Sequence, residues 1–186
     1  MQHSSDSSSN VNEEFLIARQ LHQQGRLSDA SLIYQHILNR NPKHTDALNL
    51  YGVLMQQQGK LEEAEELLRR AISIDGNFVK ALSNLGGLLL ALKQADQAII
   101  YLTRAIEIDP NFITSLYNRG NAFIELQRFD EAIRDFDKIL SAHPDDFEAQ
   151  NNRASALFQM GALEQAILGF EKVLKINPEY AEAHLN

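Results

Sequence analysis

Asn84, Asn118 and Asn152 stand 34 residues apart, each within a stretch of helical apolar spacing. A carboxamide carries one acceptor oxygen and two N–H donors, so it can pair with both the C=O and the N–H of an extended chain, whatever that chain's side chains are. Asn49, Asn121 and Asn151 recur close to the same places, and Tyr117 and Phe158 stand nearby as apolar contacts. The same amides could instead bond one helix to the next, and both uses stay open at this level.

Other side chains offer less. The six histidines are His3, His22, His36, His44, His143 and His184, and no two have the i, i+4 spacing or the cysteine company of a metal site. The run Glu62, Glu63, Glu65 and Glu66 is followed a turn later by Arg69 and Arg70, the pattern of a solvated helix face. Neither a glycine-rich phosphate loop nor a nucleophile elbow is apparent, and Gly86-Gly87 falls inside a helical pattern. The expectation is therefore no catalytic residue, no metal, no cofactor and no enzyme activity within this chain.

Composition narrows the partner. The formal net charge is -8 and the pI about 5.2, against a surface that must displace counterions from phosphates, so no nucleic acid is expected. Apolar runs such as Leu88–Leu92 fall far short of the roughly 20 residues that span a bilayer, so no membrane association is expected either. Cysteine is absent, which fits a cytoplasmic location. The opening MQHSSDSSSN has neither a basic start nor an apolar run and reads as a disordered serine-rich tail over 1–10.

The elements that must position the amides follow from a ruler. Pro42, Pro110, Pro144 and Pro178 are separated by 68, 34 and 34 residues, and Gly76 fills the missing step. Twelve places before each of the five stands an alanine: Ala30, Ala64, Ala98, Ala132 and Ala166. A period of this size marks units that cannot bury an apolar face alone and must stack. The units are 11–44, 45–78, 79–112, 113–146 and 147–180. In each, a first helix ends near Gly25, Gly59, Lys93, Gln127 or Gly161, where a left-handed residue is favoured. Ser28, Glu62, Asp96 and Asp130 open a second helix, which the proline stops. Small residues in the first helix (Ala18, Gly52, Gly86, Gly120, Ala154) and the alanine of the second let the two backbones approach, while Tyr34, Phe123, Phe136, Leu157 and Phe170 fill the layers.

This pattern resembles the tetratricopeptide repeat family over residues 11–180, with Gly76 for a proline, and Arg119 and Arg153 where leucine is usual. The resemblance implies an all-α fold, a right-handed α-solenoid of five helical hairpins plus the start of a sixth at 181–186, with the first helices lining a concave groove. It implies a scaffold that binds a protein or an extended peptide through Asn84, Asn118, Asn152, Asn49, Asn121, Asn151, Tyr117 and Phe158. The asparagine spacing is similar to that of the O-linked N-acetylglucosamine transferase superhelix. Units 1 and 2 look like the arms in front of bacterial glycosyltransferase-like enzymes, so the alternative is a substrate-recognition arm of a larger transferase. The chaperone-binding clamp of the family is not matched, because its places hold Asn49, Lys80, Ser83 and Tyr117. AEAHLN repeats the opening of units 2 and 3 and looks cut within a helix, which predicts poor cover over Leu157, Phe170 and Val173 and a homo-oligomer through that end.

Overall fold

The computed structural model describes residues 3–178 in backbone and 11–178 in side chain. All regular structure among them is helical: α1 (His3–Gln23), α2 (Leu27–Arg40), α3 (Thr45–Gln57), α4 (Leu61–Ile74), α5 (Val79–Ala91), α6 (Ala95–Ile108), α7 (Ile113–Glu125), α8 (Phe129–Ala142), α9 (Phe147–Gln159) and α10 (Leu163–Ile176). Five hairpins result, each of a first helix (odd-numbered) and a second (even-numbered). Helix α1 begins at His3, so the stretch 3–10 is helical where a disordered tail was expected. No glycine or proline precedes Gly25, and serine costs only about 0.5 kcal/mol per helical position, so nothing in the backbone stops α1 at Val11. The expected start of a sixth hairpin at 181–186 lies outside the described residues.

Both turns of the repeat are built from local backbone chemistry. Gly25, Gly59, Lys93, Gln127 and Gly161 all have positive φ, between 58° and 80°. The next residue then donates its N–H to the carbonyl five places back, as in Lys60 to Met55 (2.9 Å) and Arg128 to Phe123 (2.8 Å), which closes the first helix. An L side chain pays for this conformation and glycine does not. Gln127→Gly is accordingly expected to raise the unfolding free energy by about 0.5–1 kcal/mol, read from urea unfolding. The second turn uses an acidic or amide side chain: Asp75 accepts from Asn77 N–H (2.9 Å) and Asp109 from Asn111 N–H (3.1 Å), just after α4 and α6. Asp146 caps α9 by accepting from Ala149 N–H (2.9 Å).

The second helices α4, α6 and α8 carry the expected acids Glu62, Asp96 and Asp130 in their first turn. The capping residues Arg26, Lys60, Gln94 and Arg128 make no side-chain cap bond. Arg26 instead grips Asp29 (2.6 Å) and Arg128 grips Glu131 (2.7 Å), across one turn. The Arg128 hydrogen bond holds the Glu131 carboxyl below its usual range.

The chain divides into two compact units, 1–88 and 89–186. In the first, α1 packs on α2 and α3, and α3 packs on α2 and α4. Tyr34 is fully buried there, with ring centroids 6.3 Å from Phe15 and 6.0 Å from Tyr51. In the second, α6 to α10 each pack on the next, and α7 also meets α9. Phe136, Ile139, Leu116 and Phe123 form one cluster, and Phe170, Val173 and Leu157 another. The five repeating alanines are at most 1% exposed, as a close helix crossing requires. Leu157, Phe170 and Val173, expected to be poorly covered, are at most 6% exposed because they pack against one another within the α9–α10 hairpin. The exposed large apolar residues of α10 are Leu163, Ile167, Leu168 and Ile176.

Candidate functional site

The asparagines lie on first helices, and two pairs of them are joined. Asn84 Nδ2 on α5 donates to Asn49 Oδ1 on α3 at 2.8 Å, in the first unit. Asn152 Nδ2 on α9 donates to Asn121 Oδ1 on α7 at 3.0 Å, in the second. A third bridge, His22 Nε2 to Gln57 Oε1 at 3.0 Å, joins α1 and α3. Polar side chains thus tie neighbouring first helices, the helix-bonding use that the sequence left open. Each such bond takes one donor from Asn84 or Asn152 and leaves one N–H and the carbonyl oxygen for another partner.

Asn118 differs. It stands at the same repeat place as Asn84 and Asn152 and is half-buried on α7, yet its amide bonds no protein group among the described residues. Asn49 and Asn151 are each 2% exposed, so they stand behind the surface. Tyr117 packs edge-on to Phe136 at 5.7 Å and joins the core, away from the role of an open contact. Phe158 is 47% exposed on α9.

Arg119 belongs to the scaffold. Its guanidinium forms two parallel bonds to Asp135 on α8 (2.8 and 2.7 Å) and a third to Thr103 on α6 (3.1 Å), so one side chain ties three helices. Arg153 similarly grips Asp137. Sequence reasoning missed a depression in the first unit, lined by Arg19, His22, Gln23, Leu50, Val53 and Gln57. Its signal was available: Leu16 and Leu50 hold the repeat place of Asn84, Asn118 and Asn152, and that row was followed only where it reads asparagine. Near it, burial pushes the Tyr34 phenol up to about 12, with Arg19 pulling the other way. Among the described residues no group of three histidines or carboxylates could hold a metal, and no helix is long and apolar enough to cross a membrane.

Tandem hairpins with one sealed alanine per unit and bridged first helices define a helical-repeat protein. The chain belongs to the tetratricopeptide repeat family, whose profiles match residues 21–77, 55–119 and 117–185. Among curated proteins, none matches. Solved structures of similar fold include PilF of Pseudomonas aeruginosa (TM-score 0.86, 19% identity, 96% of this chain and 81% of that one). They also include YrrB, a tetratricopeptide repeat protein with an unusual peptide-binding site (0.80, 20%, 100% and 98%), and MamA from Desulfovibrio magneticus RS-1 (0.82, 16%, 91% and 96%). At these identities the likeness is one of fold.

Proposed function

We propose that this chain is a protein-interaction scaffold whose first helices hold an extended polypeptide segment through its backbone, using the side-chain amides of Asn84, Asn118 and Asn152, with Phe158 as an apolar contact. The observation that carries this reading is Asn118: a half-buried amide with no protein partner among the described residues, at the repeat place where two other asparagines keep free hydrogen-bonding capacity. Its amide atoms are not sealed from solvent, so its donors and its acceptor are open to an incoming chain. The peptide-binding site of YrrB, on the same fold, lends support by analogy. A second reading, as the substrate-holding arm of a larger glycosyltransferase-like enzyme, draws on the resemblance of units 1 and 2 to such arms and on the 34-residue amide spacing.

The test is a displayed library of unstructured peptides selected on the full chain, followed by calorimetric titration of a recovered peptide. Each Asn→Ala change is expected to weaken binding by about 0.5–1.5 kcal/mol, and the triple variant to lose nearly all of it. Asn118→Ala should leave the unfolding midpoint in place, while Asn84→Ala and Asn152→Ala should lower it slightly through their lost bridges. Unchanged affinity of the triple variant, with an unchanged circular dichroism spectrum, would assign the asparagines to helix stacking alone.

A further inference from the structure

We infer that the depression between α1 and α3 is an anchor site: it takes one bulky apolar side chain of the bound segment, while an aspartate or glutamate two residues away on that segment pairs with Arg19. This rests on the peptide-binding reading above and names the kind of peptide.

The depression has an apolar floor and a polar rim. Leu50 and Val53 on α3 are half-buried, and Arg19, His22, Gln23 and Gln57 surround them. The His22–Gln57 bond ties the two helices at one side. The space is about 380 Å³, enough for a leucine or phenylalanine side chain with its flanking backbone. This character is particular to the first unit. At the places of Leu50 and Val53 the later hairpins carry Asn84 and Gly87, Asn118 and Asn121, then Asn152 and Ser155.

Arg19 supplies the charge. The other arginines of first helices, Arg119 and Arg153, are each tied to an aspartate of α8. Arg19 has no ion-pair partner among the described residues, although the chain carries 25 acidic residues against 17 basic ones. Of the nearby acids, Glu14 is already held by Arg40 (2.9 Å) and His36 (3.1 Å) of α2. Among the described residues Arg19 thus stands exposed and open to a carboxylate of another molecule. Arg19 stands on the rim of the same depression, and alternate side chains of an extended chain leave on the same side, so an acid two residues from the anchor faces that rim.

The probes are short capped peptides in a glycine–serine context, with cores Leu-Gly-Asp, Leu-Gly-Asn, Leu-Gly-Lys and Ser-Gly-Asp. Each is titrated into the full chain while the NMR signals of Arg19 Nε–H and the Gln23 and Gln57 side-chain amides are followed. The Leu-Gly-Asp peptide should bind about threefold to fivefold more tightly than Leu-Gly-Asn, and Arg19→Gln should erase that difference. Ser-Gly-Asp should lose about tenfold. Equal binding of the Asp and Lys peptides, or a difference that survives Arg19→Gln, would overturn the inference. So would binding only of peptides left with a free C-terminal carboxylate. If library peptides depend on Asn118 while these probes leave the α1–α3 signals unmoved, the anchor fails and the scaffold reading stands. If bound peptides respond to Arg19 and ignore the triple asparagine variant, the amide reading fails and the anchor stands.

Discussion

Asp135→Ala is expected to lower the unfolding free energy by about 3 kcal/mol in urea, one of the largest losses any single exposed-to-buried polar change in this chain should give. Asp135 is 6% exposed and receives both parallel bonds from Arg119, itself 18% exposed. Removing the carboxylate strands a mostly buried guanidinium with one hydroxyl partner, Thr103, and the Phe123 ring 5.7 Å away. The residual exposure of Arg119 lets some water reach it, which sets the loss at the lower end for a broken buried pair. The double variant Arg119→Leu with Asp135→Leu should return to within about 1 kcal/mol of the parent, since replacing a buried pair by well-packed apolar residues is often near neutral. The same repeat places hold Leu85 on α5 and Leu67 on α4, so the fold already accommodates leucine at both. A single variant that unfolds at the parent's urea midpoint would show that the pair contributes nothing.

Gly120→Leu should cost about as much by the opposite route, overpacking. A Cβ built on Gly120 would lie 2.7 Å from Cζ and 2.9 Å from Cε1 of Phe136, a fully buried ring inside the α7–α8 hairpin. Two demands compete at this place. Alanine would gain about 1 kcal/mol of helix propensity over glycine, but the ring must move to admit it, so Gly120→Ala should come out slightly destabilising. Leucine brings nearly the same propensity gain but needs far more room, and a net loss of about 3 kcal/mol is expected. Gly120→Leu combined with Phe136→Ala should recover part of that loss, because the smaller partner vacates the space the new side chain needs. A Gly120→Leu variant as stable as the parent by thermal and urea unfolding would mean that the hairpin opens without penalty, against the close crossing described above.

The backbone rules of single residues made the hairpins legible. Prolines two places beyond α2, α6, α8 and α10 mark where second helices stop, because proline lacks the N–H to continue them. The five places of positive φ, and the five sealed alanines, could each be counted from the 34-residue period, since these demands act within a turn or two of chain.

The sequence by itself therefore determined the family, the period and the helix on which each candidate amide stands. Only the tertiary structure decided what each amide does. Asn84, Asn118 and Asn152 share one letter and one repeat place, yet Asn84 bonds Asn49, Asn152 bonds Asn121, and Asn118 bonds nothing among the described residues. The period specifies which face of a helix a side chain leaves from; its partner depends on which side chain the neighbouring helix, more than 30 residues away, brings within about 3 Å. The same reason hid the Arg119 clamp over α6 and α8 and the depression beside Arg19, since an arginine's charge is visible in one letter and its lack of a carboxylate is a property of everything packed around it.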